Sequence, residues 1–148
     1  ARAERHDREG SFPFADFEDL RRAGFLALAL PEELGGRALG LFDFCLLQEE
    51  IARGSGATAL ALNMHLYNLG GGFALFRESF RRRVADAIRA DGAVIASSIS
   101  EAGASLGSPT VTARKVAGGY RVSGRKYFCT AAPILRWFLF NARLEGFE

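Results

Sequence analysis

The feature that most constrains this sequence is a change of period at Asp91-Gly92. Before that point, apolar residues recur three and four apart. After it, they fall into short β-branched and aromatic runs separated by Gly and Pro. The first pattern builds helices with a buried stripe, and the second builds short strands with a turn after each. Helices followed by sheet predict an α+β fold or two subdomains. The reading adopted here is an N-terminal α-helical domain over residues 1–92 and an antiparallel β domain over 93–148.

The helical half can be read in order. Residues 1–13 form the tail of a charged helix ending at Gly10, and 16–23 a short helix with Phe17 and Leu20 three apart. The apolar run 25–30 enters the core until Pro31, after which Glu32 and Glu33 suit the positive first turn of a short helix. The clearest helix spans 39–53. Its apolar stripe is read as Phe42, Cys45 or Leu46, Ile51 and Ala52, with Glu49 and Arg53 paired on the wet side. Ser55 is placed to cap the next helix, 57–69, which is apolar nearly all round and so must be buried. Gly70-Gly71-Gly72 lacks the spacing of a phosphate loop and reads as a helix break. A last helix, 78–90, sets Arg81-Arg82-Arg83 against Phe80, Val84 and Ile88, and the arginines read as a solvated face. Strands are expected at 93–100, 110–116, 120–123, 125–130 and 136–142.

Composition narrows the classes. A chain of 148 residues suits one ordinary domain or two pieces of a larger one, and 49% hydrophobic with 24% charged residues is a globular balance. A net charge of +2 gives no argument for nucleic acid. The 13 Phe either fill a core or belong to interfaces. Cys45 and Cys129 read as two buried reduced thiols. No apolar run approaches the ~20 residues that span a bilayer. The charged N-terminus has no signal-peptide core, so no membrane partner and a cytoplasmic location are expected. No His or carboxylate pair stands at ligand spacing, so no metal site is expected. His65, alone on an apolar helix, is more readily a satisfied core residue than a ligand.

The chemistry concentrates between Ile95 and Thr130. Ile95-Ala96-Ser97-Ser98-Ile99-Ser100 is a strand-like run ending in hydroxyls. It turns through the small residues of Glu101-Ala102-Gly103-Ala104-Ser105 and returns to Arg125-Lys126-Tyr127-Phe128-Cys129-Thr130. If 125–130 is a strand, Phe128 and Thr130 share a face. A ring beside a hydroxyl suits a flat, polar-edged heterocycle. On composition alone, the same residues are also ordinary strand Ser, Thr and Phe.

These residues carry a family resemblance. Ser100-Glu101-Ala102-Gly103-Ala104-Ser105, then Gly119-Tyr120-Arg121-Val122-Ser123-Gly124-Arg125-Lys126-Tyr127-Phe128-Cys129-Thr130, resemble the T-E-P-G-A-G-S-D and G-Y-x-(L/I)-N-G-x-K-x-(W/F)-I-(T/S) segments of acyl-CoA dehydrogenases. Leu30-Pro31-Glu32-Glu33-Leu34-Gly35-Gly36 is similar to the P-E-E-x-G-G segment of that family. The resemblance covers nearly the whole chain but only the first part of the family's usual length, so the chain is expected to be a fragment. It implies a helical domain followed by a β-barrel-like middle domain, here incomplete.

It also implies FAD as cofactor, with Ile99 giving backbone contacts, Ser100 a hydroxyl to the pyrimidine edge, Phe128 the stacking ring and Thr130 a bond near N5. Ser105 falls against both cofactor and substrate. Ser98, Leu106 and His65 fall on the substrate side. The chain departs from the pattern where Ala102 replaces Pro, Ser105 replaces Gly, and Leu106-Gly107 stand for Ser-Asp. That Ser touches the acyl thioester, so the substrate is left open.

The reaction implied is α,β-dehydrogenation of an acyl-CoA, with hydride passing to flavin N5. The base belongs to a C-terminal helical domain that this sequence does not contain, so the chain alone is expected to be inactive. A homo-oligomer is expected of the whole protein. Two alternatives stand beside this reading: a flavin-dependent monooxygenase of the same fold, and a non-catalytic binding or assembly module.

Overall fold

Residues 2–146 are described here from a computed structural model of the chain. Five helices come first: α1 (Arg2–Glu9), α2 (Phe14–Arg22), α3 (Leu41–Gly54), α4 (Gly56–Tyr67) and α5 (Glu78–Asp91). Short 3₁₀ turns at Phe25–Ala27 and Glu32–Leu34 link α2 to α3. The strands follow: β1 (Val94–Ser97), β2 (Thr112–Val116), β3 (Gly119–Ser123), β4 (Leu135–Leu139) and β5 (Arg143–Leu144). The α+β class read from the change of period holds, and the switch falls where expected. At Gly92, φ is +66°, and its N–H bonds the Ile88 carbonyl at 2.9 Å to close α5.

The core is built around α4. Its Ala61, Leu62 and Leu66 pack with Phe17, Leu26 and Leu30 from the N-terminal segment, Val84 and Ile88 of α5, and Val94 and Ile95 of β1. The Ser55 side chain accepts from the Thr58 N–H at 3.2 Å, satisfying one of the amide donors that a helix start leaves open. Gly36 allows the chain to fold back on Leu30: a Cβ there would lie 2.0 Å from the Leu30 carbonyl oxygen. No described helix is long and apolar enough to cross a membrane.

Several expectations are corrected. On α3 the inward stripe is Phe44, Leu47 and Ile51, spaced i, i+3, i+7, while Phe42 is 75% exposed and Leu46 is also exposed. The sequence offers two apolar stripes on this helix, and packing selects the one that faces α4. Both cysteines are free, but Cys45 is exposed and Cys129 half-buried, so neither is the fully buried thiol expected. Gly70-Gly71-Gly72 does not simply stop α4. Asn68–Gly72 continues it as a π-helical turn, widening the helix where no side chain crowds the wider ring.

The sheet is not one antiparallel barrel. β1 pairs β4 in parallel, β2 pairs β3 antiparallel, and β2 pairs β5 in parallel, in two separate small sheets. No closed sheet forms among the described residues. Parallel pairing needs a long crossover, and the segment between Ser97 and Leu135 provides it, with the β2–β3 hairpin as an excursion. β1 is buried at Val94, Ile95 and Ala96 in succession, as a parallel strand covered on both faces must be.

Candidate functional site

Past Ser97, β1 runs on as extended chain, and this stub meets the segment after Gly124. The Ser98 N–H bonds the Leu139 carbonyl at 3.0 Å, and the buried Ser98 hydroxyl donates to the Tyr127 carbonyl at 2.7 Å. The Tyr127 N–H in turn bonds the Ser100 carbonyl at 2.9 Å. Residues 98–100 are thereby joined to Tyr127 along one edge, on which Ile99 and Ser100 are exposed. Ser98 has its hydroxyl committed to this seam and is buried within it.

The strand expected at 125–130 does not form. Phe128 has φ of +58° and Ala131 of +64°, and the Thr130 N–H bonds the Phe128 carbonyl at 3.0 Å, so the segment is a tight reversal. Phe128 and Thr130 are thus neighbours through a turn rather than through strand alternation. The turn leaves the Phe128 ring 85% exposed, with Thr130 half-buried. A left-handed aromatic residue is uncommon, and such backbone strain concentrates at ligand-facing positions.

The small-residue loop between Glu101 and Thr110 is held by charge. One Glu101 oxygen accepts the N–H groups of Thr110 at 2.6 Å and Val111 at 2.9 Å, together with the Thr110 hydroxyl. The other takes the Lys126 ammonium in an ion pair whose side chains are only 1% and 8% exposed. Lys126 Nζ also donates to Asn141 Oδ1 at 2.6 Å and to the Ile99 carbonyl at 3.3 Å. Asn141 Nδ2 donates to the Leu106 carbonyl at 2.8 Å. The Lys126 ammonium, with Thr110 next, pulls the Glu101 carboxyl down to about 2. Ser105 and Leu106 sit exposed on this loop, and Ser105 is bridged to Ser108.

Glu101, Lys126 and Asn141 were not read as site residues from sequence. One signal was present: Glu101 is the lone charge between Asp91 and Arg114, an odd place for a carboxylate in an otherwise small and apolar run.

His65, which the resemblance puts on the substrate side, has both ring nitrogens engaged within the core. It is fully buried, its Nδ1 accepts the Ile95 N–H at 3.1 Å, and its Nε2 faces the Leu26 carbonyl at 2.8 Å. Since Nδ1 accepts, Nε2 carries the proton and donates. Burial lowers its pKa to about 4, so it is a neutral cross-link between α4, the first 3₁₀ turn and β1. Cys129 is no better a nucleophile, because burial pushes its thiol up.

The helical half holds several cavities. One of about 260 Å³ opens beside Gly70 and Gly71 of the π turn and is lined by Ala29, Leu39, Phe44 and Leu66. Another, about 470 Å³, borders Arg2, Asp16 and Thr58, and neither cavity is lined by residues 98–100 or 127–130. The polar groups of the larger one are already paired, Arg2 with Asp16 at 3.1 Å and the Thr58 hydroxyl with Asp16 at 2.7 Å.

A helical body, an extended edge with an exposed ring and a charge-latched loop make up an α+β protein. Residues 1–76 match the model of the acyl-CoA dehydrogenase N-terminal domain. The chain belongs to the acyl-CoA dehydrogenase family. It is 37% identical over 147 residues to the putative acyl-CoA dehydrogenase YdbM of Bacillus subtilis (strain 168), covering 94% of this chain and 38% of that protein. It is 32% identical over 150 residues to the amino sugar nitrososynthase DnmZ of Streptomyces peucetius, covering 95% of this chain and 35% of that protein. The solved structure of KijD3 in complex with FMN and a dTDP-linked amino-keto sugar superposes with a TM-score of 0.84 at 33% identity, over 99% of this chain and 37% of that one. The chain therefore spans little more than a third of the relatives it matches.

Proposed function

We propose that the protein is a flavin-dependent oxidoreductase whose redox ring lies against the edge formed by 98–100 and 127–130. The observation that carries this reading is the Ser98–Tyr127–Ser100 seam, which joins the exposed Ile99–Ser100 stub to Tyr127, the residue before Phe128. The donor set fits a neutral, flat heterocycle: exposed extended backbone at Ile99, hydroxyls at Ser100 and Thr130, and an uncovered ring at Phe128. Lys126 is committed to Glu101, and the exposed Arg125 lies over the Tyr127 ring at 5.2 Å. Homology to acyl-CoA dehydrogenases, and likeness to a structure holding FMN, support a flavin.

In its finer form the cofactor is FAD and the reaction α,β-dehydrogenation of an acyl-CoA thioester. The flavin, when bound, supplies the hydride acceptor. The residues of this chain bind and orient: Ser100 and Thr130 hold polar edges, Phe128 covers a face, and Ser105 and Leu106 border the substrate side. The cavity beside Gly70 and Gly71 has an apolar lining suited to an acyl chain. Proton abstraction is assigned to no residue here.

A second reading is a flavin-dependent monooxygenase of the same fold. It is favoured by Leu106-Gly107 in place of Ser-Asp, which removes a hydroxyl from the thioester side, and by the nitrososynthase among the relatives. The whole protein, purified and supplied with either an acyl-CoA and an electron-accepting dye or a reduced flavin and oxygen, separates the two. Dye reduction supports dehydrogenation. Coupled oxygen uptake supports the second reading, and a colourless protein that takes up neither FAD nor FMN removes both in favour of a binding module.

A further inference from the structure

The Lys126 ammonium touches three otherwise separate pieces of chain. It bonds the Ile99 carbonyl on the extended edge, the Glu101 carboxylate at the start of the 101–110 loop, and Asn141 beyond β4. Glu101 then reaches across to the Thr110 and Val111 amides, tying the loop's end to its beginning. Asn141 holds the loop's tip through the Leu106 carbonyl. Both ends and the tip of this loop therefore depend on one buried cation.

Little else holds it. Residues 102–108 are Ala, Gly, Ala, Ser, Leu, Gly and Ser, and Leu106 is 69% exposed, so the loop contributes almost nothing to the core.

We propose that Lys126 is a positioning residue: through Glu101 it fixes the 101–110 loop against the Ile99–Ser100 edge, and through Asn141 it fixes the loop tip at Ser105 and Leu106. This rests on the flavin reading for its consequence but not for its geometry. The Glu101 arm governs the cofactor side, because Ile99 and Ser100 lie between Ser98 and Glu101. The Asn141 arm governs the substrate side, because it reaches only the tip. The two arms are separable by substitution.

Removing one member of a buried ion pair leaves the other charge uncompensated and can unfold more than the loop. The test therefore includes a charge-free pair and a conservative variant. In the full-length protein, wild type, K126M, K126R, E101Q/K126M and N141A are compared by hydrogen exchange at the Thr110 and Val111 amides, with Leu62 and Ile95 amides reporting the core. K126M and E101Q/K126M should exchange at Thr110 and Val111 roughly tenfold faster or more with the core still protected. K126R should restore most of the protection, and N141A should leave those two amides protected while exposing 103–107 to protease. Unchanged Thr110 and Val111 exchange in the charge-free pair overturns the latch, whatever the protein binds.

A second arm titrates the apoproteins with FAD and with FMN, read by quenching of flavin fluorescence. Affinity should fall about tenfold in E101Q/K126M and stay within about twofold in K126R and N141A, a split that a merely structural role would not produce. Equal affinity in wild type and the charge-free pair overturns the positioning role while leaving the flavin site standing. No flavin binding by wild type overturns the flavin reading, and with it the site role of Lys126, while the exchange result still judges the latch.

Discussion

At the scale of single residues, two buried polar groups decide how this fold meets acid. His65 is neutral in the core with a pKa near 4, against 6.5 when free. Above pH 6.5 the two states bind equal protons and stability is unaffected. Below it the unfolded chain takes a proton that the folded chain refuses, so stability falls between pH 6.5 and 4 by roughly 3 kcal/mol. Chemical denaturation at pH 7 and pH 4.5 checks this, and H65Q should flatten the slope. Truncating the ring leaves the Ile95 N–H and Leu26 carbonyl unpaired around a cavity, so H65A should cost about 3–5 kcal/mol. Glu101 acts lower on the scale. Its folded pKa is depressed to about 2 from 4.5, so its contribution is complete above pH 4.5 and is lost as pH falls toward 2. Exchange at Thr110 and Val111 should therefore accelerate in that window while the helices around Leu62 remain protected.

At the scale of elements, α4 is the member on which the others lean. Leu62 and Leu66 are buried to the last percent or so, and L62A should cost about 2–5 kcal/mol in a urea melt. S55A removes the helix cap and should cost about 1 kcal/mol. The Glu49–Arg53 pair on α3 is exposed on both sides, so R53A should change stability by less than about 0.5 kcal/mol. Helices were legible in the sequence because each carries its own evidence locally: Ser55 before α4, Gly92 after α5, apolar spacing between. Strand partners were not. β1 shows three successive apolar residues, which is the mark of a parallel strand, but its partner lies beyond the 101–110 loop and the β2–β3 hairpin. The reversal at Phe128 was equally hidden. Tyr127-Phe128-Cys129 has strand propensity, and only the pull of Ser98 and Ser100 on Tyr127 shows why the backbone turns there.

At the scale of the whole molecule, the chain carries more apolar surface than its core uses. Leu41, Phe42 and Leu75 are each at least 75% exposed, and Phe14, Leu60 and Tyr67 are more than half exposed. Leu41 and Phe42 stand side by side at the start of α3, and contiguous apolar surface marks interfaces. The chain studied by itself should therefore self-associate with rising concentration. Sedimentation should report a weight-average mass climbing above the 16.1 kDa of one copy, and L41E/F42E should suppress that climb. The resemblance carried by Glu101–Ser105 and Gly119–Thr130 located the family and supplied the roles proposed for Ser100, Phe128 and Thr130, but not the contacts that hold the loop. His65 has the core position its isolation on an apolar helix suggested, while Glu101 and Lys126 emerged as the frame of the loop. The proposed flavin edge is Ile99, Ser100, Phe128 and Thr130. Its most direct test is fluorescence titration of the full-length apoprotein with FAD and FMN, comparing wild type with F128A, S100A and, as a control away from the edge, F42A. The account predicts that F128A and S100A each weaken binding, together by about tenfold or more, while F42A binds as wild type does. Wild-type affinity in the F128A/S100A double variant would contradict it.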